Sequence, residues 1–109
     1  MGAGFSHNGL LLFRKRNMAN TIILQFRFKD DNNGINDFSL IINTQNIQTV
    51  DDLKHALVTG RHVTYNNFDL YRNDTARDVK EHMSPSTAIR SFFPGSHNVN
   101  DIHVLIYPR

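Results

Sequence analysis

Thr21-Ile22-Ile23-Leu24-Gln25-Phe26-Arg27-Phe28-Lys29 is the stretch whose reading decides the fold. Ile22, Leu24, Phe26 and Phe28 fall on one side of an extended backbone, and Ile23, Gln25 and Arg27 on the other. Successive side chains of a strand point to opposite faces, so this alternation predicts a strand with one buried side. Asp30-Asp31-Asn32-Asn33-Gly34 follows, a cluster whose Asn and Gly residues tolerate positive φ and therefore turn the chain. Phe38, Leu40 and Ile42 then alternate again. Two strands around a turn of this kind make a hairpin.

Further along, Thr49-Val50-Asp51-Asp52 opens a helix. The Thr49 hydroxyl can cap free N–H groups, and Asp51 and Asp52 suit the positive end of the helix dipole. Val50, Leu53, Ala56 and Leu57 share one helical face, and Gly60 marks the stop. Phe68-Asp69-Leu70-Tyr71-Arg72 predicts a short third strand with Phe68 and Leu70 inward. Residues 73–83 are polar and read as a loop with at most one helical turn. Ser84-Pro85-Ser86-Thr87 starts a brief helix carrying Ile89, Phe92 and Phe93, which Pro94-Gly95 ends. Asp101 to Tyr107 is the last strand, with Ile102, Val104 and Ile106 alternating. The order strand, strand, helix, strand, short helix, strand predicts an α+β fold of the β-grasp kind: a mixed four-stranded sheet packed on one helix.

Working outward to the whole chain, 109 residues suit one domain. That domain is expected over 18–109, with Met18 as a candidate natural start, after a disordered tail over 1–17. The tail's apolar run, Leu10–Phe13, is four residues long and precedes its basic cluster, Arg14-Lys15-Arg16. A secretory signal needs about 7–15 apolar residues behind the positive charge, and a membrane span needs about 20. Neither is recognisable here. The basic cluster has the composition of a short nuclear signal. Removing its three residues from the 12 basic ones leaves nine against ten acidic residues. A body of that balance offers no broad phosphate-binding face, so nucleic acid is not expected as its partner.

Catalytic chemistries are excluded one at a time. The chain has no Cys, so disulfides, thiolate zinc sites and cysteine nucleophiles are impossible. His7, His55, His62, His82, His97 and His103 form no helical i, i+4 pair of the metalloprotease kind. Ser96, His97 and Asp101 lie close in sequence, whereas a hydrolytic triad converges from separate elements beside an oxyanion hole. Placing Gly34 at the sixth position of a calcium loop puts Lys29 and Leu40 where acids are needed. The residues thus assign no catalytic group, no cofactor and no metal. A sequon, Asn73-Asp74-Thr75, has meaning only in a secretory pathway.

One surface stands out. A β-grasp helix covers a single face of the sheet, and the outward residues of the other face read Ile23, Ile41, Asp69, Tyr71, His103, Leu105 and Tyr107. Apolar and aromatic residues here, where a solvated face favours Thr, Lys or Glu, predict a contiguous protein-binding patch. Ile23, Ile41, Tyr71, His103, Leu105 and Tyr107 are its expected partner-binding residues. Cover by residues 73–83 or by Leu10–Phe13 is the alternative.

Several motifs resemble a known family. Thr49-Val50-Asp51-Asp52-Leu53-Lys54 is similar to the helix start of ubiquitin-like domains, and Ile89-Arg90-Ser91-Phe92 to the turn before their last strand. Over nearly all of 18–109 the chain resembles the N-terminal, ubiquitin-like domain of Crinkler-type effectors of oomycetes and fungi. Leu70-Tyr71-Arg72-Asn73-Asp74 stands where those domains carry a Leu-Phe-Leu-Ala-Lys-like delivery motif, with Asn73 and Asp74 replacing its Ala and Lys. Met83-Ser84-Pro85 and Phe92-Phe93-Pro94 are similar to a segment that the family domain runs through, and Ile102-His103-Val104-Leu105-Ile106-Tyr107-Pro108 to the motif that closes it. The resemblance implies a secreted protein acting inside a host cell, often in the nucleus, with this domain serving delivery or recognition of a host protein. A generic intracellular ubiquitin-like interaction domain is the alternative. Use as a covalent modifier is not expected, since Tyr107-Pro108-Arg109 offers no Gly-Gly tail.

Overall fold

The computed structural model describes residues 20–95 and 100–109. The tail over 1–17, the Arg14–Arg16 cluster, Met18, and Ser96 and His97 lie outside the described residues.

The two alternating runs form β1 (Thr21–Phe28) and β2 (Phe38–Asn43), paired antiparallel with Leu24 opposite Leu40 and Ile23 opposite Ile41. The connecting loop is held from inside. The Asp31 carboxylate accepts the N–H groups of Ile35 and Asn36, and Asp37 accepts a two-pronged grip from Arg27, closest at 2.7 Å. Gly34 adopts φ +67°, and a Cβ there would stand 2.6 Å from Arg27 Nη2. The left-handed φ favours glycine, and any side chain there would have to displace the Arg27–Asp37 pair.

The helix α1 spans Val50–Thr59. Thr49 and Asp52 close a reciprocal capping box: Asp52 N–H donates to Thr49 Oγ1 and Thr49 N–H donates to Asp52 Oδ2, both at 3.1 Å. The next orphan donors meet loop carbonyls, Val50 N–H to Thr87 O and Asp51 N–H to Pro85 O. The helix start is therefore closed to ligands. Gly60 is the C-cap, as its position suggests, but the left-handed residue is Arg61, at φ +61°.

Three further strands complete the sheet: β3 (Phe68–Asp74), β4 (Val79–His82) and β5 (Val104–Pro108). The strand order is β2-β1-β5-β3-β4, with β1 and β5 parallel and every other pair antiparallel. Among the described residues the fold is α+β with a mixed sheet of five strands and two helices, the second being the single turn α2 (Ile89–Phe92). The fifth strand, β4, corrects the four-stranded expectation. It lies in the segment read as a loop, pairs Tyr71 with His82 and Asp74 with Val79, and is exposed along its whole length. An edge strand can be held by backbone pairing alone, so it need not display the apolar alternation that reveals a half-buried strand.

Leu24, Phe26, Leu53, Leu57, Phe68, Leu70, Ile89, Val104 and Ile106 form the centre of the core, on the helix face of the sheet. Val63 and Met83 join it from loop positions that carry no periodicity. The last strand begins at Val104 rather than Asp101, and Ile102 is only half-buried. The cause is His103, whose ring Nδ1 accepts the Gln25 N–H at 2.9 Å while its backbone N–H donates to Gln25 O at 3.0 Å. The imidazole takes the place of the next backbone carbonyl, so the parallel ladder stops there.

Candidate functional site

The face of the sheet away from α1 is ordered by strand register into rows, neighbouring rows being about 6.8 Å apart along the strands. Ile41 and Ile23 form one row. Ser39, Gln25, His103, Asn73 and Lys80 belong to the next, and Arg27, Leu105, Tyr71 and His82 to the third. Tyr107 and Asp69 pair in the fourth.

The third and fourth rows make an aromatic cluster. The Tyr71 ring lies 4.3 Å from the Tyr107 ring, centroid to centroid, and 5.2 Å from His82. Lys29 Nζ stands 5.0 Å over the Tyr107 ring, within range of a cation–π attraction. At the rim, Asp69 accepts two hydrogen bonds from Arg109, at 2.6 and 3.0 Å, with His82 Nε2 at 3.6 Å. The Arg109 hydrogen bond holds the Asp69 carboxyl below the usual carboxylate value, against the opposing effect of burial. The surface combines two half-exposed tyrosines with a rim of Lys29, His82 and Arg109.

The six expected partner-binding residues do not share one patch. Ile23 and Ile41 are exposed, at 41% and 72%, but a polar row stands between them and the tyrosines, with Ser39 Oγ donating to Gln25 Oε1 at 2.8 Å. Leu105 is only 8% exposed. It lies on the central strand between Arg27 and Tyr71, whose long side chains flank it. His103 is 5% exposed, turned onto the β1 backbone, with its ring edge-on to Phe93 at 6.3 Å. Leu105 and His103 therefore support the surface rather than present themselves on it. Tyr71 and Tyr107 remain accessible, and residues 73–83 form the β3–β4 hairpin beside them instead of a cover. Lys29, His82 and Arg109 were missed. Extending the β1 alternation by two residues finds Lys29, whereas His82 lies on the strand that carries no signal.

The delivery-like residues are tied into the fold. Leu70 is in the core. Arg72 donates to Asp74 and to Glu81, each at 3.1 Å. Asn73 Nδ2 donates to Ile102 O at 3.0 Å, so the sequon's amide nitrogen is already engaged. Asp74 also accepts Arg77 Nε at 2.6 Å, and that bond is the main reason its carboxyl is held below the ordinary value. Of the five, only Tyr71 faces the aromatic cluster.

Among the described residues no group of three or more His, Asp or Glu side chains could hold a metal ion, and no helix is long and apolar enough to cross a membrane. A scan against protein-family models finds no match for the chain, and a search of curated proteins finds no significant one.

Proposed function

We propose that this domain is a ubiquitin-like β-grasp module that acts by protein recognition rather than by catalysis, through the Tyr71–Tyr107 cluster. The β-grasp reading draws support from the strand order, with parallel first and last strands at the centre and one capped helix on a single face. Recognition rests on one observation: two half-exposed tyrosines in mutual contact, under a lysine, on the sheet face that no described helix covers. Tyrosines are rigid and amphipathic, and anchors of this kind commonly cost 2 kcal/mol or more of partner affinity on truncation.

The cellular setting we propose is that of the Crinkler-type N-terminal domain, an exported module recognised in a host cell. It is carried by the closing segment Ile102–Pro108 and not by the delivery-like stretch, most of which is engaged in the fold. Affinity capture from host extracts tests recognition. The Tyr71→Ala/Tyr107→Ala double variant should stay folded and lose a partner that the parent and the turn variant Asn32→Ala retain. Full capture by the folded double variant refutes the site. Failure to find the protein outside its producing cells refutes the exported setting but leaves recognition standing.

A further inference from the structure

The sheet has two edges, and they differ in kind. On β4 the edge reads Val79-Lys80-Glu81-His82, and charges of this sort protect a strand from pairing with another chain. On β2 it reads Phe38-Ser39-Leu40-Ile41-Ile42-Asn43, with no charge, no Pro and no Gly. Short uncharged segments of high β-propensity are the ones that pair with their own kind.

Hydrogen bonding fixes which β2 groups face outward. Gln25 directs its N–H and C=O to His103, and Lys29 its N–H to Ile106, so the odd-numbered residues of β1 face β5. Even-numbered β1 residues then face β2, as Thr44 N–H donating to Asn20 O confirms at the hairpin's open end. By the register, Phe38, Leu40 and Ile42 bond to β1, leaving Ser39, Ile41 and Asn43 pointing away from the sheet. Asn43 O is already taken by the N–H groups of Asn46 and Ile47, and the Asp37 N–H by Gly34 O. Among the described residues, Ser39 and Ile41 are left as the residues of this edge with both backbone groups on offer.

We infer that β2 pairs with β2 of a second copy of this chain, antiparallel across a two-fold axis, to form a continuous ten-stranded sheet. With two outward residues per copy, one register satisfies both: Ser39 opposite Ile41 of the second copy, and Ile41 opposite its Ser39. Each such pair exchanges two N–H···O bonds, and Leu40 meets its own symmetry mate on the helix face, where it is half-buried in the single chain. No like charges meet, because the strand has none. The Ile41 side chain, the most exposed aliphatic group of the sheet at 72%, gains a neighbour. One strand pair is a small interface, so the association belongs to the weak, reversible class.

Sedimentation of the full chain from about 10 μM to about 1 mM, the range in which such interfaces populate, should show a monomer–dimer equilibrium. Ile41→Lys should weaken it at least about tenfold, since it sets a charge at both symmetric pairs. Ser39→Glu should do the same, and mixing the two variants should restore association by setting Lys opposite Glu. In the unaltered protein, amide exchange at Ser39 and Ile41 should slow with rising concentration while Phe38 and Leu40 stay constant. This arm holds even if a variant misfolds. Tyr71→Ala/Tyr107→Ala should leave the equilibrium unchanged, which separates this edge from the recognition face. A strict monomer across the range overturns the inference, as does a dimer indifferent to Ile41→Lys. A monomer that dimerises only after removal of residues 1–17 overturns it too, by showing that the chain's own segment occupies the edge.

Discussion

Replacing His103 by Leu keeps a side chain of similar bulk and removes the acceptor on which Gln25 depends. An imidazole whose Nδ1 accepts carries its proton on Nε2, and the 2.9 Å bond to Gln25 N–H is partly buried, beneath a His103 that is itself 5% exposed. A buried donor left without a partner costs about 1–3 kcal/mol. For a domain of this size each kcal/mol moves Tm by roughly 4–8 °C, so a loss near 2 kcal/mol should lower Tm by about 8–16 °C. His103→Asn, whose Oδ1 can stand close to the lost nitrogen, should recover most of the difference. Thermal unfolding followed by circular dichroism reads the stability, and amide exchange at Gln25 reads the bond itself. Exchange there should accelerate in the Leu variant more than in the Asn variant. Unchanged stability together with a still-protected Gln25 amide in His103→Leu would refute the role given to the imidazole, and with it the explanation of where β5 begins.

Three further outcomes are expected. Leu24→Ala and Ile106→Ala, both fully buried, should each cost about 2–5 kcal/mol in urea unfolding, against less than about 1 kcal/mol for exposed Ile41→Ala; equal costs would contradict the register. Arg61→Gly relieves a left-handed residue at φ +61° and should stabilise by about 0.5–1 kcal/mol in the same assay, part of the gain being offset by the freer unfolded chain. The Asp69 carboxyl is held below its ordinary value of 3.8 by Arg109, so its contribution is fully present above that value and is lost as pH falls through the folded-state one. A pH titration of stability should therefore decline below about pH 4, and Asp69→Asn should make that decline shallower.

Much of the fold was legible because burial on one face imprints a period on the residues. Ile22, Leu24 and Phe26 announce β1, and Thr49 with Asp52 announces α1, through local chemistry alone. The β4 strand left no imprint, because both its faces meet solvent and its pairing is backbone to backbone. Val63 and Met83 enter the core as single residues, and one residue has no period. For the candidate site, alternation assigned the face correctly but not the exposure. Leu105 points outward as its position predicts, yet it sits on the central strand of five, where its neighbours stand taller than it does. Alternation places His103 among the surface side chains, whereas its role depends on a backbone donor 78 residues away. No local pattern encodes such a partner.

The parallel pairing of β1 with β5 also governs how the domain is assembled during synthesis. Phe26 meets Val104 and Phe28 meets Ile106 across almost the whole described sequence, so the middle of the sheet is the last part that can close. A ribosome releases the β1–β2 hairpin early, with Leu24 and Phe26 wet and the uncharged β2 edge open, and both wait until β5 emerges. Contacts so distant along the chain slow folding, because loop-closure entropy is lost before the pairing compensates it. The nascent domain thus spends its most association-prone interval with its least protected strand exposed, and any holding factor it meets during translation would meet that strand first.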